Sequence, residues 1–456
     1  MALEGGASFA TTLFDLYYSA ATQEWTFEKA GPFWEAVQVA RDLGRRGRGQ
    51  TIAVIDTGFD DRICGRENVT LVWENPNPRA CGHGTAVAML IREVAPEAHL
   101  LLCPVAMPGE AITDQMDDAL IARAFETIEA SAASIVNLSL GVPLDVTRVE
   151  PSAASGGVDW RGMVRHGETR IGAAARRLAE SGRTLIASCG NIGGAHAGKS
   201  PSDLAFSPAT EPGVFSVGYR TEAREGWEGT ETASIEQTKI YVQTNYFDFF
   251  VLQPPLVVGS SFASPLFSGF VALMDDRADL PDWKQVFALC GFADLGMVAL
   301  ENQLREGTAP DPQLLELVER IFPMAEAAIP ERHRACRTDP RPCPDCALFR
   351  RSVDVNYGLF LLKRGQVDDA ISRLAAYTKI NAYCPHGFAN LGMAFALKAQ
   401  AAQQAGDGAA AARHLADAAA QYDRAVALRP GYAPYAARLA EFRNAQDAPM
   451  GWALAP

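Results

Sequence analysis

The chain lacks any uninterrupted apolar run of about 18 residues, so it offers no candidate membrane-spanning helix and no membrane partner is expected. It also lacks a surplus of positive charge. Its 41 Lys and Arg face 54 Asp and Glu, a net charge of -13. That is the wrong sign for tracking a phosphate backbone, and no nucleic-acid partner is expected. No secretory signal is legible: Met1 to Ala10 has no basic start, and Asp15 interrupts the apolar residues between Leu13 and Tyr18. No Asp-rich loop of the calcium-binding kind stands out. The nine cysteines are odd in number and scattered, which reads as free thiols in a reducing compartment, with the cytoplasm as the expected location.

What is present is globular. Hydrophobic residues make up 48% and charged residues 21% of 456, enough for two or three domains. From residue 50 to about 278, strand and helix signals alternate. Thr51 to Ile55, His99 to Val105, Ser134 to Leu140, Thr184 to Ser188 and Val214 to Gly218 are apolar runs of the buried parallel-strand kind. His83 to Val94, Asp114 to Ala132 and Thr169 to Ser181 have helical spacing. The alternation predicts an α/β domain, a parallel sheet with helices on both faces.

The organisation expected is an N-terminal extension over 1–31, a catalytic domain over 32–278, a helical and Cys/Pro-rich connector over 279–345, a helical repeat domain over 346–446 and a tail over 447–456. A basic stretch, Arg45 to Gly49, precedes the first strand. In the repeat region Gly358 and Gly392 lie 34 residues apart in similar surroundings. Ala370 sits where two helices would approach closely, and Tyr422 to Pro430 closes a second unit. This resembles the tetratricopeptide repeat, with an Ala/Gln-rich insertion of roughly 14 residues around Gly406 to Gly408. An unspecific Ala-rich bundle is the plainer alternative.

Four short segments carry chemistry: Ile55-Asp56-Thr57-Gly58 after a strand, Gly82-His83-Gly84-Thr85 opening a helix, Ser188-Cys189-Gly190-Asn191 after a strand, and Gly259-Ser260-Ser261 opening an apolar helix. Singly, each has a commoner role as a turn or a helix cap. Together they supply what a serine nucleophile needs: an imidazole to take its proton and a buried carboxylate to hold the imidazole.

In this order and with these flanks the segments resemble the subtilase family, over roughly residues 32 to 278. Val94 to Ala98, Asn137 to Gly141, Ser207 to Ala209 and Val214 to Gly218 resemble further stretches of that family. The resemblance implies a serine endopeptidase acting on protein or peptide substrate and requiring no cofactor. Ser261 would be the nucleophile, His83 the general base and acid, Asp56 its orienter. Asn191 and the Ser261 backbone N–H would bind the oxyanion. Ser139, Leu140 and Gly141 would offer backbone to an extended substrate, and Ser188, Cys189 and Gly190 would line the specificity pocket with them.

The chain departs from the family in places. Ser260 stands where Thr is usual. Residues 219 to 258 lack the usual Ala-Pro-Gly stretch and carry Tyr246, Phe247, Phe249 and Phe250, expected as a surface hairpin or a docking edge. Residues 143 to 168, with Gly156-Gly157 and Trp160, are an insertion suited to a lid. No large prodomain is legible, and residues 1 to 30 are expected as a short inhibitory arm. Cys81 lies two residues before His83, either as a thiol beneath it or as an inert small hydrophobe.

Cys336, Cys343 and Cys346, with Cys384 downstream, are candidate zinc ligands, and His333 competes for a place among them. Free thiols are the commoner outcome for such spacings. The repeats are expected to bind a regulator or a substrate protein. A non-enzymatic adaptor working through the repeats is the alternative function. A dedicated processing enzyme for one precursor is a third reading, which the residues do not separate from the first.

Overall fold

The computed structural model describes residues 18–19, 22, 24–25, 29, 31–109, 115–145, 169–191, 204–221, 249–253, 259–339 and 341–447. The inhibitory arm, the lid beyond Asp145 and the aromatic pair Tyr246-Phe247 therefore fall outside the described residues. The chain divides into two compact units, Met1–Lys29 with Gly44–Arg277, and Ala30–Leu43 with Ala278–Pro456.

The first unit is built on a seven-stranded sheet. Its strands are β1 (Thr51–Asp56), β2 (Val69–Leu71), β3 (His99–Pro104), β4 (Ile135–Leu138), β6 (Thr184–Ser188), β8 (Val214–Thr221) and β9 (Phe249–Gln253). A separate antiparallel pair joins β5 (Val142–Asp145) to β7 (Leu204–Ser207). In the sheet the order is β9-β8-β6-β4-β1-β3-β2, and every neighbouring pair is parallel. Ile52, Ala53, Val54 and Ile55 are all fully buried, which is why β1 reads as a continuous apolar run rather than an alternating one. Phe249 and Phe250 lie on a parallel edge strand, not on the surface hairpin expected.

The chain starts the sheet at its centre, fills β2 and β3 on one side, then crosses to β4 on the other. The carboxyl ends of β1 and β4 thus form a topological switch point, where open α/β sheets bind ligands. Two buried helices pack there, α2 (Gly82–Val94) and α5 (Ser260–Val271). Gly269 lets them cross closely, since a Cβ there would stand 2.7 Å from the Val94 Cβ. In the basic stretch Glu97 pairs with Arg46 at 2.9 Å and Arg48 at 2.8 Å, and Asp275 pairs with Arg45.

The second unit is helical. It holds α1 (Pro32–Asp42), α6 (Leu280–Arg305), α7 (Pro312–Ala327), α8 (Pro344–Phe349), a π turn over Ser352–Asn356 running into α9 (Tyr357–Lys363), α10 (Val367–Ile380), α11 (Pro385–Gln404), α12 (Gly408–Leu428) and α13 (Ala433–Asp447). Placing α1 here differs from the expected organisation, which began the catalytic domain at residue 32. Its Glu35 is buried against Arg351 and Asn381, both of this unit. Gly358 packs on Leu374, and Gly392 on Tyr422, at distances that leave no room for a Cβ. The insertion forms no loop: relative to Ser352–Lys363 and α10, the pair α11 and α12 is extended by about two turns per helix.

One half-buried imidazole makes this unit sensitive to acid. Tyr435 Oη and His386 Nδ1 share a hydrogen bond at 2.6 Å, and burial, then Arg351 and Arg429, lower the His386 pKa to about 4. The unfolded chain protonates this residue near pH 6.5, whereas the folded unit resists until about 4. Stability therefore falls as pH drops through that window, by on the order of 3 kcal/mol in full. Urea midpoints at pH 7 and pH 4.5 should diverge more in the wild type than in His386→Phe. Equal slopes would remove this residue as the cause.

Candidate active site

Asp56 ends β1 and is wholly buried. Its Oδ1 accepts from the Thr57 backbone N–H at 2.7 Å and from Thr57 Oγ1 at 3.2 Å, so the carboxylate is held before the imidazole meets it. His83, in the first turn of α2, places Nδ1 at 2.8 Å from the same oxygen. Its ring is 22% exposed, with its Nδ1 edge against the buried carboxylate. Gly84 makes this approach possible. A Cβ there would lie 2.3 Å from the Gly58 carbonyl oxygen and 3.1 Å from the Asp56 Cβ. Overpacking of that kind would push the helix start away from the strand end.

Ser261 is the second residue of α5 and is half-buried. The next residue, Phe262, packs its ring 5.5 Å from the His83 imidazole, so the two helix starts meet beside the carboxyl ends of the strands. Ser260, fully buried, clamps the loop after β6 to this helix. Its backbone N–H and its hydroxyl both donate to Asn191 Oδ1, at 2.9 and 3.1 Å, and its Oγ accepts from the Gly190 N–H at 3.1 Å. With the carbonyl oxygen of Asn191 fixed on Ser260, the amide nitrogen of that side chain is turned the other way as a donor. The Ser at position 260 supplies every hydroxyl contact this clamp uses.

A polar ladder inside the core was not foreseen from the sequence. Asn137 Nδ2 donates to Ser139 Oγ at 2.9 Å, Ser139 Oγ meets Ser264 Oγ at 2.9 Å, and Ser268 Oγ donates to Asn137 Oδ1 at 3.0 Å. All four residues are buried. In an apolar interior such bonds exist only when each group finds its partner, so they fix α5 against β4 in one register. The serines at 264 and 268, one turn apart on an otherwise apolar helix, were the available signal. Ser139 and Leu140 are buried and Gly141 is exposed, so the Ser139 side chain serves this ladder and only main chain remains for an added strand.

Ser188 and Cys189 are buried and Gly190 is half-buried. Gly190 has φ +97°, and a Cβ there would lie 2.1 Å from the Phe206 ring. Cys81 is the inert kind of thiol. Burial, then Asp60 and Cys64, push its pKa to about 11, so it stays protonated at neutral pH.

The structure corrects the metal-candidate set. Cys384 caps α11 through its Sγ, which accepts from the Gly387 N–H at 3.4 Å, and burial raises its thiol to about 11. It is not with the other three. His333 is: one ligand atom from each of His333, Cys336, Cys343 and Cys346 lies within 4.8 Å of all the others.

Residues 47–247, within the first unit, match the model of the Subtilase family. Ser261 lies beyond the matched stretch. Similar solved structures include the prenylagaramide maturation protease PagA, 20% identical over 67% of this chain and 88% of that one, with a TM-score of 0.35. The MycP3 protease from the type VII (ESX-3) secretion system is 22% identical over 56% and 78%, TM-score 0.35. The nisin leader peptidase NisP from Lactococcus lactis is 16% identical over 56% and 87%, TM-score 0.36. The comparison with curated proteins gave no match. Among the described residues, no helix is long and apolar enough to cross a membrane.

Proposed function

We propose that the chain is an endopeptidase whose nucleophile is Ser261, and that the observation carrying this reading is the 2.8 Å contact between buried Asp56 and His83. A carboxylate on Nδ1 fixes the tautomer that leaves Nε2 as the base. Ser261 Oγ attacks the scissile carbonyl as its proton passes to His83 Nε2, and the imidazolium then protonates the leaving amine. Asn191 Nδ2 and the Ser261 backbone N–H stabilise the tetrahedral oxyanion. Substrate lies as an extended strand along Ser139 to Gly141.

The helices from Ser352 to Leu428 act in this reading as tetratricopeptide-like pairs that hold a substrate or regulatory protein. The support is the close helix packing at Gly358 and Gly392. The nine free cysteines suit a reducing cytoplasm.

A fluorophosphonate probe tests the chemistry. Full-length protein should acquire one adduct, mapped by peptide mass spectrometry to Ser261, and Ser261→Ala should acquire none. Labelling that appears only with an added protein would assign the control to that partner. Absence of an adduct under every condition would favour an adaptor without catalysis.

A further inference from the structure

The region between α7 and α8 has almost no apolar residues of its own. Residues 331 to 342 read Glu-Arg-His-Arg-Ala-Cys-Arg-Thr-Asp-Pro-Arg-Pro. Yet four soft donors converge inside it. His333 is 3% exposed, Cys343 6% and Cys346 0%. His333 Nδ1 stands 3.4 Å from Cys343 Sγ, 3.4 Å from Cys346 Sγ and 3.9 Å from Cys336 Sγ.

Hydrogen bonding does not account for this arrangement. A neutral imidazole nitrogen has one lone pair and accepts one S–H, not three. A disulfide would bring one pair of sulfurs to about 2.05 Å, and all four cysteines of this unit's connector and α11 are free. A single tetrahedral ion does account for it. With metal–sulfur bonds of about 2.3 Å and a metal–nitrogen bond of about 2.0–2.1 Å, each nitrogen–sulfur edge is about 3.5 Å. The three observed edges scatter around that value.

We propose that His333 Nδ1 and the thiolates of Cys336, Cys343 and Cys346 bind one zinc ion in a closed, structural site. Thiolate and imidazole donors select zinc over calcium or magnesium, and four protein ligands leave no open position for catalysis. The surroundings fit. Cys343 Sγ accepts from the Cys346 N–H at 3.4 Å. His333 Nε2, on the far side of the ring, lies 3.2 Å from an Asp279 carboxylate oxygen, off the hydrogen-bond angle but close enough to orient the ring electrostatically. Trp283, fully buried, packs its ring 5.1 Å from the imidazole, and the buried Arg350 donates to the His333 carbonyl at 3.2 Å. Three thiolates and one Zn²⁺ leave a net charge of −1, and the buried Asp345 carboxylate stands 3.5 Å from His333 Nε2. The ion staples a connector too polar to pack by itself.

Elemental analysis of the purified full-length protein should give about one zinc per chain. Cys343→Ser, Cys346→Ser and His333→Ala should lose it. His333→Cys, which restores a fourth thiolate, and Cys384→Ser, which lies elsewhere, should keep it. Because a variant could fail to fold, the wild type provides a separate readout. Exchanged with cobalt, it should show the tetrahedral d–d bands and the thiolate charge-transfer band. The proposal is overturned if reduced, folded wild type binds neither zinc nor cobalt. Native mass spectrometry showing a Cys343–Cys346 disulfide would also overturn it, as would zinc retained in both serine variants.

Discussion

Asp56→Asn should lower kcat by about 10⁴-fold on any cleavable peptide, with the fold intact; that magnitude comes from the corresponding substitution in a serine protease of another fold. The geometry gives the reason. An aspartate at position 56 only accepts, so His83 must present Nδ1–H to it and keep Nε2 as a base. An asparagine held by Thr57 keeps its amide oxygen at the Oδ1 position, where the Thr57 N–H, the Thr57 hydroxyl and His83 Nδ1 converge, but it carries no charge. The imidazolium that forms as Ser261 attacks then lacks the buried anion that stabilises it. KM should change little, since nothing in substrate binding passes through residue 56. An Asn variant with near wild-type turnover would mean that the charge at residue 56 is not needed.

Asp354→Ala should destabilise the helical unit by about 3–5 kcal/mol. Asp354 is 1% exposed and sits in the π turn before α9. It meets Arg350 at 3.0 Å, Arg337 at 2.6 Å and Arg373 at 3.0 Å, and Arg350 is itself 2% exposed. Burial alone would raise the Asp354 carboxyl, but the three guanidinium groups overcome it and hold it below the usual carboxylate range. Its contribution is complete above the unfolded carboxyl pKa near 4 and is lost as pH falls through the lower folded value, so the full effect is present at pH 7. Removing the anion takes away the ion pair of the buried Arg350, while Arg337 and Arg373 keep Glu326. Hydrogen exchange over residues 344–380 should accelerate strongly in Asp354→Ala. The exposed Asp339–Arg341 pair is the control, where Asp339→Ala should change nothing measurable. Equal exchange in the two variants would show the network to be dispensable.

The five inner strands of the sheet were readable in the sequence because their signals are local, whereas the edge strands β2 and β9 were not. Thr184 to Ser188 is a strand over the same residues, and the other runs fall within a few residues of their strands. The places of Asp56, His83, Asn191 and Ser261 in the fold were readable for a related reason: each stands at or just after a strand end or in the opening turn of a helix, where flanking glycines mark the backbone. The ladder of Asn137, Ser139, Ser264 and Ser268 was not, since its two halves, Asn137 with Ser139 and Ser264 with Ser268, lie more than a hundred residues apart. The metal candidates show the same limit. Cys343-Pro344 and Cys384-Pro385 are alike on paper, a cysteine cap before a proline at the first helical position. Only tertiary packing sends one toward His333 and the other toward Arg351.

The placement of α1 bears on how the protein is made. Phe33, Trp34, Val37 and Val39 are buried in the finished molecule. Their helix packs on α8, which leaves the ribosome about 300 residues later; at about 5–20 residues per second, that is a delay of some 15 to 60 seconds. Throughout that interval a sticky, tryptophan-bearing segment has been synthesised and its partner has not. Until α8 is made, the apolar face of α1 lacks the partner it packs on in the finished unit, and a chain ending between residues 43 and 343 never acquires that partner.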